Sequence, residues 1–309
     1  MPTTPQNHIS VLIARGDEIL RDDTAEGCTA RTRFQLASVS KSFTAAAVLL
    51  LAERGTLDLD DSVTRWIGRC PRSWQGITLH QLLTHTSGLG HWREHPMIDL
   101  ERSVTPGDLL DTFGRVPPLS APGARWHYSS PGYVLAAHVA QRAADRPYRE
   151  LLAETIFGPL GLGQTFAGSV GDRTDVARGH GTDGRPVPSW DLDVVSMGAG
   201  DVWSTTGDLL AWIDALRTGR VLGERYRTVM FAEPVPTGGG PDASGYGCGW
   251  FVGAHAGEAW FHHSGENAGF RAFAACLPGS GRRIVALSNS DRTGPSVIAE
   301  LLAGAHIVS

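Results

Sequence analysis

Lysine is almost missing from this 309-residue chain: of its 27 basic side chains 26 are arginine, and the exception is Lys41. Basic charge is not in excess either, since 32 acidic residues leave a formal net charge of -5. No footprint for nucleic acid or an anionic membrane follows from that balance. Cysteine is sparse. Cys28, Cys70, Cys248 and Cys276 are widely spaced without a C-x-x-C pair, so free, mostly buried thiols are expected rather than a disulfide framework. Long apolar runs are absent: the longest, Ala45 to Ala52, falls far short of the roughly 20 residues of a membrane-spanning helix. Met1 to His8 carries no lysine or arginine, and the apolar stretch Ile9 to Ala14 ends at Arg15, so the pattern of an export signal is not met and a cytoplasmic location is expected. No internal repeat or low-complexity tract occurs. Gly-x-Ser-x-Gly is also missing, which excludes the nucleophile elbow of α/β-hydrolases.

What is present suits a globular protein. With 41% hydrophobic and 19% charged residues the chain can bury a sizeable core, and its length allows one large unit or two interleaved ones. Ile9 to Ala14 and Glu18 to Asp23 read as two strands around an Arg15-Gly16-Asp17 turn. Ser40 to Arg54, rich in alanine and leucine and stopped by Gly55, reads as a buried helix. From about Asp60 to Thr165 helical segments dominate: Thr78 to Thr84, Asp108 to Phe113, Pro131 to Ala144 and Tyr148 to Phe157. Another helix spans Thr206 to Leu216. Strand signals return at Gly249 to Val252, Ala259 to His262, Arg271 to Leu277 and Arg283 to Ser288, and a last helix is expected from Pro295 to Ala303. Strands at both ends with helices between imply an α+β fold of one unit, 1–309, in which 1–60 and 190–309 share an antiparallel sheet flanked by helices and 61–189 form a mainly helical insertion. The cleft between the two parts is the default site.

Ser38-Val39-Ser40-Lys41 sets a hydroxyl and an amine three residues apart at a helix start, on one face and within reach of each other. A serine becomes a good nucleophile when a base takes its proton, and a lysine is such a base when burial and positive potential keep its amine neutral. The N-terminal end of a helix provides that potential and favours an oxyanion beside Ser38. With one lysine and 22 serines in the chain, the chance expectation for Ser-x-x-Lys is about 0.07. Arginine cannot replace a deprotonatable amine.

Phe34 to Ala45, Leu82-Leu83-Thr84-His85-Thr86-Ser87-Gly88-Leu89, Tyr128-Ser129-Ser130-Pro131-Gly132-Tyr133 and His263-Ser264-Gly265 together resemble the class C beta-lactamase-like serine hydrolases. That family includes D-alanyl-D-alanine carboxypeptidases, D-amino-acid peptidases, esterases and some acyltransferases. The resemblance implies a beta-lactamase/transpeptidase-like fold and an acyl-enzyme: Ser38 attacks, Lys41 takes its proton, and Tyr128 shuttles protons as phenol or phenolate. His263 stands where other members have the lysine of Lys-Thr-Gly, followed by Ser264 and Gly265, and the oxyanion hole falls to the N–H groups of Ser38 and Glu266. No cofactor or metal is implied.

Two departures bear on the substrate. Ser130 replaces the asparagine of Tyr-x-Asn, which weakens amide recognition, and His263 replaces a fixed cation by a mostly neutral imidazole, which weakens carboxylate binding. Glu266 adds a carboxyl group near the mouth, either to select a cationic or polar substrate or as a solvated loop residue. His91-Trp92-Arg93-Glu94-His95 has the letters of a zinc motif, but neighbouring Gly88, Gly90 and Pro96 argue against the helix it needs. Gly179 to Gly184 matches a dinucleotide motif in letters alone, without the strand and helix that give it meaning. His85 is assigned structural hydrogen bonds, and Trp92, Trp126, Trp190 and Trp203 are candidates for an apolar acyl pocket. The reading is therefore an esterase-like serine hydrolase of a small ester or amide. The alternatives are an acyltransferase, a D-amino-acid peptidase or carboxypeptidase, and a non-catalytic ligand-binding module.

Overall fold

A computed structural model describes residues 9–68, 70–232 and 234–293. The chain enters as a hairpin, β1 (Ile9–Arg15) and β2 (Glu18–Asp23), whose turn holds Gly16 at φ 55°. A short strand β3 (Phe34–Gln35) leads through a 3-10 turn, Ala37–Ser40, into helix α1 (Lys41–Glu53). Every residue of α1 from Lys41 to Ala52 is buried, so its uninterrupted apolar sequence is that of a helix enclosed on all sides. Phe43 stacks on Trp212 at 4.3 Å between ring centres, and the Trp212 Nε1 donates to Ser42 Oγ at 3.0 Å.

The middle of the chain is helical as expected: α2 (Val63–Trp66), α3 (Leu79–Leu83), α4 (Pro106–Arg115), α5 (Ser130–Ala143), α6 (Tyr148–Leu152) and, after a π turn at Ala153–Phe157, α7 (Gly158–Leu160). Threonine hydroxyls cap α3 (Thr78) and α4 (Thr105), and Ser129 caps α5. One feature there carries no visible periodicity in sequence. Strand β4 (Phe166–Ala167) pairs with β5 (Val202–Ser204), which also pairs with β3 to make a second sheet of three very short strands.

Helices α8 (Thr206–Arg217) and α9 (Glu224–Phe231) precede β6 (Val235–Pro236), β7 (Gly245–Tyr246), β8 (Phe251–His255), β9 (Glu258–Asn267), β10 (Phe270–Leu277) and β11 (Arg282–Ser288). The large sheet runs β2-β1-β11-β10-β9-β8-β7-β6 and is antiparallel throughout. Ile9 opposite Ser288 and Arg15 opposite Arg282 join the two ends of the chain, as the strand pattern predicts. Alternation along the strands divides the core. Leu12, Ala274, Val285 and Leu287 pack with α1 and α8, whereas Val11, Ile13, Phe273 and Ile284 form a separate cluster on the opposite face. The helix expected at Pro295 to Ala303 lies outside the described residues. Among the described residues no helix is long and apolar enough to cross a membrane, and all four cysteines are unpaired.

Candidate active site

Ser38 is placed in the 3-10 turn before α1, not in the α-helix itself, so Lys41 three residues on is nearly eclipsed with it. The turn is locked from two sides. Ser40 Oγ accepts the Val202 N–H at 3.0 Å, and the Leu36 N–H donates to the Val202 carbonyl at 2.8 Å. Ala37, immediately before Ser38, has φ 46°, a left-handed conformation that costs a non-glycine residue about 1 kcal/mol and is held here by close packing. Gly265 of β9 accounts for part of that packing: a Cβ there would lie 2.2 Å from the Leu36 carbonyl oxygen and 3.1 Å from the Ser38 nitrogen. From His263 to Asn267 strand β9 is paired to β10, and its pairing with β8 has already ended at His262. Its other edge therefore abuts the Ser38 turn.

Lys41 is wholly buried. Its Nζ lies 3.0 Å from Ser38 Oγ and 2.8 Å from the Ala199 carbonyl oxygen, with the Tyr128 ring centre 5.0 Å away. Burial pulls its pKa from 10.5 to about 7, opposed in part by Asp201. A neutral Lys41 amine can donate to Ala199 and accept from the serine hydroxyl. Tyr128 sits just before α5, and burial drives its phenol well above the ordinary value, with Ser38 opposing weakly. Tyr128 is therefore a neutral phenol at physiological pH rather than a phenolate. Two imidazoles fix the backbone that carries it: His85 Nδ1 accepts the Ser129 N–H at 3.1 Å, and His91 Nδ1 accepts the Ser130 N–H at 3.2 Å. Both rings are held uncharged by burial and by Lys41, His91 with a pKa of about 4.

The remaining residues singled out from sequence fall around the same cleft. His263 is buried; its Nδ1–H donates to the Ser264 carbonyl at 2.6 Å and its Nε2 accepts from the Tyr246 hydroxyl at 3.0 Å. Burial and Lys41 lower its pKa to about 3, so it presents neither a charge nor an unshared nitrogen. Ser264 and Glu266 are exposed on the cleft wall. Glu266 pairs with Arg271 at 2.9 Å, and Arg271 pairs in turn with Asp291 at 2.7 Å. Ser130 is buried at the start of α5 beside a cavity of about 60 Å³ that also touches Ser38, Ser196 and Asn267. The Ser196 hydroxyl has no partner among the described residues.

The main cleft, about 600 Å³, is lined by Ser38 with an aromatic wall of Trp126, Tyr128, Trp190 and Phe251. Trp126 and Trp190 thus face the site. Trp92 packs half-buried against the core and lines the small cavity beside Ser38, whereas Trp203 is buried in the small sheet with its Nε1 on the Gly168 carbonyl, 3.1 Å away. His91 and His95 flank a 3-10 turn, Trp92–Glu94; His95 is buried edge-on to Phe113, while His91 lines the cleft. Among the described residues no three His, Cys, Asp or Glu side chains form a metal-binding group. Gly179 to Gly184 is a loop. The carbonyl of Ala199, the buried carboxyl of Asp201 and the Tyr246 hydroxyl were not legible as site groups. The one local signal for them is the small-residue run Gly198-Ala199-Gly200-Asp201, which lets the backbone approach Lys41 closely.

A sequence profile of the Beta-lactamase family matches residues 8–308. Esterase EstB of Burkholderia gladioli is 30% identical over 250 residues, 68% of this chain and 63% of that protein. Penicillin-binding protein 4 of Amycolatopsis lactamdurans is 26% identical over 88% of this chain and 76% of its own length. Against three curated relatives at 30 to 36% identity, EstB included, the chain spans 30, 54 and 63% of their lengths. Among solved structures, a D-stereospecific amidohydrolase from Streptomyces sp. superposes with a TM-score of 0.81 at 26% identity, covering 94% of this chain and 92% of that one.

Proposed function

The chain belongs to the Beta-lactamase family, and from that premise we propose that it is a serine hydrolase working through an acyl-Ser38 intermediate, esterase-like and directed at a small ester or amide. The observation that carries this reading is the buried Lys41 amine 3.0 Å from Ser38 Oγ, held near neutrality by desolvation. Neutral Lys41 takes the hydroxyl proton as Ser38 Oγ attacks the carbonyl carbon. The oxyanion develops toward the N–H groups of Ser38 and Glu266, where the unpaired edge of β9 meets the 3-10 turn. The Lys41 ammonium returns the proton to the leaving group through the Tyr128 phenol, and water entering the cleft discharges the acyl group with Lys41 again as base. Ser264 and Gly265 line the path of the substrate, and His263 stands in the wall, held from behind by the buried Tyr246 hydroxyl.

Support for an ester over a β-lactam or a peptide C-terminus comes from charge. His263 is neutral, and Arg271 is already shared by Glu266 and Asp291, so among the described residues that line the cleft no unshared cation is left for a substrate carboxylate. The same surplus of carboxylate at the mouth favours a second reading, hydrolysis of a D-amino-acid amide or ester whose ammonium meets Glu266, in keeping with the likeness to a D-stereospecific amidohydrolase. Intact-mass measurement after mixing the protein with activated short-chain esters, D-amino-acid amides and a penicillin tests the proposal. An acyl adduct on the wild type that is lost in Ser38→Ala is expected, with turnover abolished in Lys41→Arg. An adduct that persists in Ser38→Ala refutes the assignment. Added amine or alcohol that becomes acylated in place of water makes the protein an acyltransferase, and no adduct with any of them leaves the binding module.

A further inference from the structure

A separate cavity of about 220 Å³, which shares no lining residue with the cleft, is lined by Tyr148, Arg149, Leu192, Met197, Asp193 and Asp201. Asp201 forms its inner wall and is 1% exposed. Its carboxyl takes the backbone N–H groups of Gly198 and of Asp201 itself, yet its Oδ1 has no hydrogen-bond partner among the described residues. A buried carboxyl oxygen without a donor, on a residue that lines a cavity large enough to hold a ligand, calls for an N–H or O–H donor. At the exposed rim Asp193 accepts from Ser169 and stands 3.8 Å from Arg149, whose side chain is 65% exposed. The Tyr148 hydroxyl is already committed to Thr44 Oγ1 at 2.7 Å, so it does not satisfy Asp201. A metal ion is a poor fit, because two carboxylates without a third ligand do not make a cage.

We propose that this cavity is a binding site for a small organic cation carrying N–H groups, of the primary alkylammonium class, seated on Asp201 with Asp193 at the entrance. The site is coupled to catalysis through charge. Asp201 and Lys41 each titrate near 7, Asp201 raised there by burial and Lys41 lowered, so the two groups compete for protons. The groups facing Lys41 from the other elements, Tyr128, Tyr133, His85, His91 and His263, are uncharged at neutral pH by the same burial. A cation in the cavity favours the ionised form of Asp201, and that negative charge in turn strengthens the hold of Lys41 on its proton. The bound cation therefore slows acylation of Ser38. This consequence rests on the proposed hydrolase reading, whereas the binding site itself does not.

Calorimetric titration with n-propylammonium chloride, with tetramethylammonium chloride at equal ionic strength as the probe that lacks N–H donors, measures the site directly. Saturable binding of propylammonium alone is expected in the wild type and in Ser38→Ala, weakened at least tenfold in Asp201→Asn. Should Asp201→Asn fail to fold, Asp193→Asn at the surface is expected to weaken binding several-fold. In the ester assay propylammonium lowers kcat/KM about fivefold at pH 7, the effect of raising the lysine pKa by about one, and leaves it unchanged at pH 10. Equal effects of the two ammonium salts, binding undiminished in the Asp201 and Asp193 variants, or inhibition at pH 10 through a raised KM overturns the proposal. Binding to Ser38→Ala in a protein whose wild type never acylates removes the hydrolase reading and leaves the site standing.

Discussion

Replacing Lys41 by methionine removes the amine while keeping the length and apolar bulk of the side chain, and the structure predicts that the variant is dead yet more stable. In the folded protein Lys41 binds its proton with a pKa of about 7 against 10.5 for an exposed lysine. Between those values the unfolded chain holds more protons than the folded one, so wild-type stability rises with pH across this window, by about 1.4 kcal/mol per pH unit. Below pH 7 the full penalty is present; above 10.5 it is gone. At pH 7 the burden amounts to about 4 kcal/mol. Methionine abolishes it but leaves the Ala199 carbonyl without its 2.8 Å donor, which returns about 1 to 3 kcal/mol. Lys41→Met is thus expected to exceed the wild type by about 1 to 3 kcal/mol at pH 7 in urea denaturation, with the gap closing and then reversing as pH approaches 10. A gap that does not change between pH 7 and 10 would refute the claim that the fold strips this lysine of its proton.

The same titration shapes the rate. The acid limb of kcat/KM is expected to have an apparent pKa near 7, belonging to the Lys41 and Asp201 pair together, and His263→Gln, which removes a ring that is already neutral, leaves that limb where it is. In Gly265→Ala the new methyl meets the Leu36 carbonyl oxygen, pushes β9 from the Ser38 turn, and is expected to lower kcat/KM by about 100-fold, the scale of one lost oxyanion contact. Ser130→Asn extends an amide toward the cavity of about 60 Å³ beside Ser38. We expect the ratio of amide to ester turnover to rise about tenfold, the worth of one added hydrogen bond, measured on a matched amide and ester pair.

Much of this molecule is written locally. Period and punctuation alone mark the β1–β2 hairpin, the enclosed helix ending at Gly55, and the helical middle, because each depends on side chains a few residues apart and on glycine or proline at their ends. A solitary lysine three residues after a serine marks the pair proposed to react for a chemical reason, since arginine is never a base. Strand pairs of two or three residues, such as β4 with β5, carry too few alternating positions to show a period, and they exist because partners distant in sequence meet there. The state of Lys41 is likewise not a local property. The carbonyl of Ala199, 158 residues away, and the carboxyl of Asp201 reach it through the packing of β5 on the 3-10 turn, and the same packing removes the water that would keep it charged. His263 shows the limit most clearly: its letter suggests an acid or a base, but Tyr246 and the Ser264 carbonyl occupy both ring nitrogens. Sequence determined which atoms are available for chemistry; the tertiary structure decided their protonation and their partners, because desolvation and long-range hydrogen bonds exist only once the chain has closed around them.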